Sequence, residues 1–281
     1  MVYKTHTPNS ASLIKPSIAA LAHRGLDIIL PSNCLICSQM TQSSSQMCRT
    51  CKILIKQAET SQFECCIRCH VKLDRPETGV IFADTAKDRQ PDGALHCAQC
   101  LSNAIQYEQC ISAVVYNPLT GKLVNLLKHQ RKLAAITSIA GAMTVALERH
   151  YQNLPATIDF AIPVPLHPRR LQLRGFNQAN EIAKPICQHF NIPLNPHLSQ
   201  RQRDSLAQQN MRLKARQTNL QGAFALSPAA LQHQPIRGKR IAIIDDVMTT
   251  GTTANAVASS LLAAGAKRCD IWCYARTPRA T

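Results

Sequence analysis

The chain has 281 residues, of which 45% are hydrophobic, so it is long enough for one medium-sized domain and a smaller one. Lys and Arg number 32 against 16 acidic residues, and the charge of +16 favours polyanionic partners, with a basic charge that serves solubility alone as the alternative. Aromatic residues make up only 4%, which argues against a broad surface for stacking bases.

The N-terminal segment, residues 1–32, is predicted to be a partly disordered leader with a short helix at Ile18–Ile29. Charged residues interrupt its weakly apolar part, unlike the continuous apolar core of a secretion signal. The chain has no apolar run of the roughly 18 residues that a membrane span needs, so we expect no membrane insertion. We therefore expect a cytoplasmic protein. Disulfides are rare in that compartment, so the cysteines are predicted to be metal ligands or free thiols.

Residues 33–104 hold most of the 13 cysteines and predict a small double zinc ribbon. Four pairs have the C-x-x-C spacing that places two thiolates on one zinc ion: Cys34 with Cys37, Cys48 with Cys51, Cys66 with Cys69, and Cys97 with Cys100. Two pairs complete a four-cysteine site, so we expect two structural zinc ions. Pairing in sequence order is the simplest arrangement, although the spacing also allows a crossed one.

Other readings of this region are weaker. Cys65 does not fit the C-x-x-C spacing, so we expect that it binds no zinc ion. His70 and His96 each lie next to a C-x-x-C pair and are alternative zinc ligands. A redox C-x-x-C is disfavoured because four pairs in a row lack a βαβ context, and a disulfide framework because no export signal precedes them. The polar segment Asp74–Gly93 predicts an exposed loop, and the ribbon around it should depend on metal for its folding.

Residues 105–281 alternate strands with helices, which predicts an α/β domain with a parallel sheet covered by helices on both faces. The predicted strands are Cys110–Tyr116, Ile158–Val164, Ala223–Leu226, Ile241–Ile244 and Cys269–Ala275. The predicted helices are Pro118–Lys128, Leu133–Leu147, Asn177–Phe190 and one through Ala254–Leu262 that Gly265 caps. The basic segment Arg201–Asn219 has almost no apolar periodicity, so it predicts a mobile loop or an exposed helix.

Arginines crowd the segment after the strand Ile158–Val164, and we interpret that segment as a turn carrying Arg169, Arg170 and Arg174. Ligands of open α/β sheets bind beyond the carboxyl ends of the strands, so this turn is expected to face a binding crevice. Guanidinium groups there bind diphosphate through paired N–H donors. A solvated basic helix start is the alternative.

Two acids, Asp245 and Asp246, follow the strand Ile241–Ile244, and a hydroxyl-rich loop then leads into a helix. The loop residues are Thr249, Thr250, Gly251, Thr252 and Thr253. Backbone N–H groups of a tight loop and a helix start suit a phosphate, and carboxylates that face solvent at a strand end accept hydrogen bonds from ribose hydroxyls. An ordinary solvated turn is the alternative, whereas the glycine strings of a P-loop and of a dinucleotide loop are absent.

The thirteen positions Ile241–Thr253 resemble the 5-phosphoribosyl-1-diphosphate (PRPP) binding motif of type I phosphoribosyltransferases. The resemblance implies PRPP or a related phosphosugar as ligand, usually with Mg²⁺. Asp245 and Asp246 would then hold ribose hydroxyls or Mg²⁺, Thr249–Thr253 the 5-phosphate, and Arg174 the departing diphosphate. No general base or acceptor pocket is recognisable, so catalysis is left open and the acceptor is unknown.

The cysteine region, the string VPLHPRRLQLRGFNQ and the PRPP loop together resemble the ComF family. This resemblance implies a double zinc ribbon joined to a type I phosphoribosyltransferase-like domain, with a role in DNA uptake or utilisation during natural competence. Lys128 falls where the family carries a lysine after a helix, which assigns it to phosphate binding. The family's basic-loop pattern is partly present, as Arg201, Arg203, Ser205 in place of Thr, Gln208, Arg216 and Asn219.

The partners implied by the resemblance are single-stranded DNA and a DNA-uptake helicase or other competence proteins. A rival hypothesis keeps the fold without the reaction. In that hypothesis the protein is a non-catalytic adaptor that senses a nucleotide or binds single-stranded DNA.

Overall fold

A computed structural model describes residues 32–41, 46–73, 95–102, 105–130, 132–152, 158–202, 222–233 and 235–278. The chain divides into two compact units, residues 1–48 and 49–281. The predicted boundaries near residues 32 and 104 stay predictions. The predicted leader helix, the loop Asp74–Gly93 and almost all of the basic loop Arg201–Asn219 lie outside the described residues.

The described part of the smaller unit is a short hairpin. Strand β1 (Ser32–Asn33) pairs antiparallel with β2 (Met40–Thr41). The Cys34 amide donates to the Gln39 carbonyl at 2.7 Å, and the Ser38 amide donates to the Cys34 carbonyl at 2.9 Å. These bonds close the tight turn on which Cys34 and Cys37 lie.

The larger unit is built on a four-stranded parallel sheet in the order β3-β8-β7-β4. Its strands are β3 (Gln109–Val115), β4 (Phe160–Pro163), β7 (Arg240–Met248) and β8 (Arg268–Arg276). β7 and β8 are the inner strands, and their apolar side chains are buried on both faces, as parallel sheets require. The predicted α/β class is confirmed.

A second, two-stranded sheet corrects one expectation. The predicted strand Ala223–Leu226 forms as β6 (Phe224–Leu226), but it pairs antiparallel with β5 (Ser199–Arg201) and not with the parallel sheet. Only three residue pairs join these strands. The apolar pattern of so short a segment predicts extended backbone but not its partner.

Eight α-helices and a short 3₁₀ helix (Thr60–Gln62) lie in the described parts of the chain. The α-helices are α1 (Arg49–Gln57), α2 (Ala98–Ser102), α3 (Pro118–Gln130), α4 (Ala134–Tyr151), α5 (Pro168–Arg174), α6 (Gln178–His189), α7 (Pro228–His233) and α8 (Thr252–Ala263). The four predicted helices correspond to α3, α4, α6 and α8. Gly265 follows α8 in the left-handed region at φ 98°, as its predicted capping role requires. None of the described helices combines the length and the apolar character that a bilayer crossing needs.

Helices cover both faces of the parallel sheet. Ile241, Ile243 and Ile271 belong to the buried cluster that contains α8 residues such as Val257 and Leu261. Trp272, which alternates with Ile271 along β8, instead contacts the rings of Tyr151 at the end of α4 and Phe190 just after α6. Successive strand side chains point to opposite faces, so α8 packs on one face and α4 with α6 on the other.

Candidate functional site

The hydroxyl-rich loop that begins at Thr249 follows the carboxyl end of β7. That strand continues past Ile244 through both acids, because its pairing with β8 continues as far as Met248 opposite Arg276. Both acids therefore lie near the end of the strand, and the loop itself is only residues 249–251. Gly251 has φ 78°, and a Cβ there would meet the Met248 side chain at 2.8 Å. The positive φ favours glycine at this position, and a larger residue would also displace the end of the Met248 side chain.

The Asp246 carboxylate is buried and paired. Its side chain is 4% exposed, and Oδ2 lies 2.6 Å from Nζ of Lys128, whose side chain is 24% exposed. The Asp246 Oδ1 accepts a hydrogen bond from the Val247 amide at 2.8 Å. The expectation that both acids face solvent is therefore wrong for Asp246, because the pleat that exposes one of two successive strand residues buries the other.

The Asp245 carboxyl is in a different electrostatic state. The residue is partly exposed, and its Oδ1 accepts from the Asp246 amide at 2.8 Å. Burial of the carboxyl group and then the charge of Asp246 raise the pKa of Asp245 to about 8, against an opposing effect of Lys128. Two adjacent acids in a low-dielectric environment do not both ionise easily, so Asp245 is the protonatable member of the pair, and Asp246 forms the ion pair with Lys128.

The threonine loop presents hydroxyl and amide groups at the start of α8. The hydroxyls of Thr250 and Thr252 lie 2.7 Å apart, and the Thr252 amide donates weakly to the Thr250 hydroxyl at 3.4 Å. The residue before the helix, Gly251, has no side chain with which to cap it. The first amides of a helix have no intrahelical acceptor, so this end can receive an anion.

The arginine segment is a short helix and not the predicted turn. α5 has Pro168 at its first position, and the His167 side chain accepts from the Arg169 amide. Arg169 is exposed and Arg170 is partly exposed. One helix-start signal, Pro at the first helical position, is visible in the sequence, whereas His167 is not a usual capping residue and its role is seen only in the structure.

Arg174 at the end of α5 is brought toward the acids. Burial lowers its pKa, and the charge of Asp246 acts in the opposite direction, as expected for two groups in electrostatic contact. Its guanidinium donates to the Gln178 side chain. The Asn177 side chain donates to the Val164 carbonyl at 3.0 Å, which fixes this segment beside the end of β4. Lys128, Arg174 and Asp246 thus gather at one edge of the sheet.

Arg276 is a site residue that the sequence analysis missed. It is the last residue of β8, is 3% exposed, and donates to the carbonyls of Met248 and Thr249 at the base of the loop. Its neighbourhood depends on which strand pairs with β7, and no local motif in the sequence carries that information.

The cysteines form two groups of four, in sequence order. Cys34, Cys37, Cys48 and Cys51 form one group, and Cys66, Cys69, Cys97 and Cys100 the other; within each group the sulfur atoms lie within 4.8 Å of one another. The sulfur atoms of Cys37 and Cys48 are 3.6 Å apart in the first group, and those of Cys69 and Cys97 are 3.4 Å apart in the second. Four thiolates at 2.3 Å from zinc would be about 3.8 Å apart, so both groups suit a structural zinc ion.

The remaining candidate ligands stay outside these two groups. Cys65 is not a member, and burial raises its pKa to about 11. The Nδ1 atom of His70 accepts a hydrogen bond from the Ser112 amide at 2.9 Å, and burial lowers the pKa of His70 to about 4. Within the second group, contact with the Cys100 thiol lowers the pKa of Cys66 far below its ordinary value.

A parallel sheet whose inner strand ends in an acid pair and a threonine loop, together with two four-cysteine groups, defines a phosphoribosyltransferase-like protein with zinc-ribbon-type cysteine clusters. The chain is 31% identical to the DNA utilization protein YhgH of Salmonella typhi over 186 residues, 66% of this chain and 79% of that protein. It is 28% identical to competence protein F of Haemophilus influenzae over 187 residues, 65% of this chain and 79% of that protein. The chain belongs to the ComF family.

Comparison with models of known protein families finds no match. Among solved structures, a purine phosphoribosyltransferase from Pyrococcus horikoshii Ot3 matches with a TM-score of 0.30 and 16% identity over 50% of this chain and 72% of that one. The hypoxanthine phosphoribosyl transferase of Trypanosoma cruzi matches with a TM-score of 0.33 and 13% identity over 52% of this chain and 75% of that one. At these TM-scores the likeness supports no inference, and the fold class rests on the sheet and the family.

Proposed function

We propose that this protein binds PRPP or a related phosphosugar at the edge of the sheet formed by β7, the threonine loop and α5, and that it serves the uptake or utilisation of DNA. The observation that carries the binding proposal is the convergence of Asp246, Lys128 and Arg174 beside a helix start free of a side-chain cap. The cellular role is supported by the names of the relatives, a DNA utilization protein and a competence protein.

Each group has a distinct task in this proposal. The loop amides and the hydroxyls of Thr250 and Thr252 hold the 5-phosphate. The carboxyl of Asp245 accepts hydrogen bonds from ribose hydroxyls or binds a Mg²⁺ ion that arrives with the ligand, since oxygen donors suit this ion. Asp246 is already paired, so its task is to hold Lys128, whose ammonium and the Arg174 guanidinium supply positive charge to the diphosphate.

If transfer occurs, these residues position the ribose and stabilise the leaving diphosphate, which is the main work of such a site. A second candidate function is a non-catalytic adaptor that senses a nucleotide or binds single-stranded DNA, and the charge of +16 favours it. The proposed location is the cytoplasm, where the thiols of both cysteine groups stay reduced.

Titration calorimetry with PRPP and Mg²⁺ tests the binding proposal. Measured above pH 8, where the Asp245 carboxyl is ionised, Asp245→Asn should weaken binding by about 10- to 100-fold, because a hydrogen bond to a charged group is lost. Asp159→Asn is the matched control: Asp159 accepts from Lys239 and the Arg240 amide at the start of β7, away from the loop, and its loss should leave binding unchanged.

Absence of binding heat with both PRPP and ribose 5-phosphate would overturn the phosphosugar proposal. Where PRPP binds, release of diphosphate in the presence of nucleobase acceptors separates the transferase from the adaptor. Binding with no release across those acceptors would favour the adaptor.

A further inference from the structure

Arg276 connects the second cysteine group to the phosphosugar loop. Its Nε donates to the Cys69 carbonyl at 2.8 Å. From the same guanidinium, Nη1 donates to the carbonyls of Met248 at 3.1 Å, Thr277 at 3.0 Å and Thr249. One buried side chain therefore holds a metal-ligand segment on one side and the loop on the other.

The charge of this side chain matters as well as its shape. The Nη2 atom lies 3.8 Å from Sγ of Cys69, and Arg276 is 3% exposed, so its charge is buried beside this sulfur atom. A zinc ion with four thiolates carries a formal charge of −2, so the metal-bound group is an anion that compensates the buried guanidinium. Loss of the metal would remove that anionic group from beside Arg276 and would release the Cys69 segment to which Arg276 is bonded.

Two further observations place the second cysteine group and the phosphosugar loop near each other. A cavity of about 620 Å³ is lined by Cys69 and Cys100 of the second group and by Thr250, Gly251 and Thr252 of the loop, with Arg276 between them. Tyr107 is buried beside the loop, and its hydroxyl lies 3.3 Å from where a Cβ of Gly251 would be. The second cysteine group and the loop therefore line one cavity, and Tyr107 lies against the loop.

We infer that Arg276 is a positioning residue through which the metal state of the Cys66, Cys69, Cys97 and Cys100 group sets the conformation of the phosphosugar loop. With metal bound, Arg276 is held between Cys69 and the loop carbonyls, and the loop is ordered for an anion. Without metal, the guanidinium loses its anionic neighbour and the loop loosens. The ligand-binding consequence rests on the proposed function, whereas the loop-ordering consequence does not.

Hydrogen–deuterium exchange over residues 248–253 of the zinc-loaded protein measures loop order without any ligand. Arg276→Gln should speed exchange there by at least about tenfold, because hydrogen bonds from a charged donor are lost, and Arg276→Lys should restore part of the protection. Arg268→Gln is the matched control: Arg268 opens the same strand and pairs with Asp270, so its loss should not change exchange in the loop. Fluorescence of Trp272, the one tryptophan, reports whether each variant is folded.

The metal dependence is tested by Cys97→Ser, which should lower the zinc count by one and speed loop exchange in the wild-type background. In the Arg276→Gln background the same substitution should add little, because the connection is already lost. Equal acceleration in both backgrounds would overturn the inference, as would unchanged exchange in Arg276→Gln.

PRPP with Mg²⁺ is the ligand probe for the same variants, and Arg276→Gln should weaken its binding while Arg276→Lys restores part of it. The two proposals fail in distinguishable ways. If PRPP does not bind the wild-type protein but the exchange results hold, the phosphosugar function is wrong and the metal-to-loop connection stands. If PRPP binds and the exchange results fail, the connection is wrong and the function stands.

Discussion

At the scale of single residues, the two adjacent acids show how burial divides a motif into different roles. The Asp246 carboxylate lies 2.6 Å from the ammonium group of Lys128, whereas burial and the charge of Asp246 raise the pKa of Asp245 from 3.8 to about 8. Between those pH values the folded protein holds a proton that the unfolded chain has released. Asp245 therefore lowers the stability of the fold as pH rises through this window, and the effect is complete above about pH 8.

Asp245→Asn should remove this dependence because an amide does not titrate. We expect the variant to gain stability relative to the wild-type protein as the pH rises from about 6 to 8, measured as the difference in free energy of unfolding from urea denaturation. Asp159→Asn is the control, since a hydrogen bond from the Arg240 amide lowers the pKa of Asp159 and its titration ends below this range. The same wild-type-to-variant difference at both pH values would show that the carboxyl of Asp245 has an ordinary pKa.

At the scale of elements, the conformation of a C-x-x-C turn is determined by its own few residues, whereas the phosphosugar site is formed by several elements together. The turn at Cys34 closes through hydrogen bonds inside a six-residue span, so C-x-x-C spacing is enough to predict it. The loop after β7 needs more: β8 supplies Arg276, α3 supplies Lys128 and α5 supplies Arg174. The resemblance assigned Lys128 and the arginine pattern indicated Arg174, but neither could say that they meet at Asp246.

The cysteine groups predict two zinc ions per chain by elemental analysis of protein purified reduced and without chelators. Cys66→Ser should lower the count by one, because Cys66 is one of four sulfur atoms within 4.8 Å of one another. Cys65→Ser is the matched control, a neighbouring cysteine outside the group, and should leave the count at two. A protein without zinc, or a lower count in Cys65→Ser, would contradict the assignment of these ligands.

At the scale of the whole molecule, charge is the property that extends beyond the site. The net charge of +16 is accompanied by few aromatic residues, so any contact with nucleic acid should be mainly to phosphates. α5 displays Arg169 and Arg170 at the surface while Arg174 lies nearer the acids. The last residue of this short helix, Arg174, could therefore contact a phosphosugar, while Arg169 and Arg170 at its start contact a polyanion.

We predict weak binding of single-stranded DNA with little sequence preference and a steep dependence on salt. Arg169→Gln with Arg170→Gln should reduce the log–log salt slope by about 1.4 if both contact phosphates. Lys239→Gln with Lys267→Gln removes the same charge near the start of β7 and is the control. Labelled oligonucleotides titrated at several salt concentrations give the slopes, and equal changes in both double variants would place the DNA contact away from α5.

The sequence by itself determined the features whose information is local. Four C-x-x-C spacings predicted two metal groups, and thirteen consecutive residues predicted the strand, acid pair, loop and helix start, because hydrogen bonds between near neighbours build such units. The α/β class followed from alternating patterns of the same kind. The start of helix α5 could have been predicted too, from Pro168.

Only the tertiary structure decided which distant groups meet and which become buried. It paired the cysteines in sequence order, buried Asp246 against Lys128, and joined Arg276 to Cys69 across 207 residues of chain. Those outcomes depend on the strand order β3-β8-β7-β4, which sets β8 beside β7. A pattern along the chain fixes which residues are apolar or charged, but the pairing of strands fixes their neighbours, and burial among those neighbours sets the charge that each group can carry.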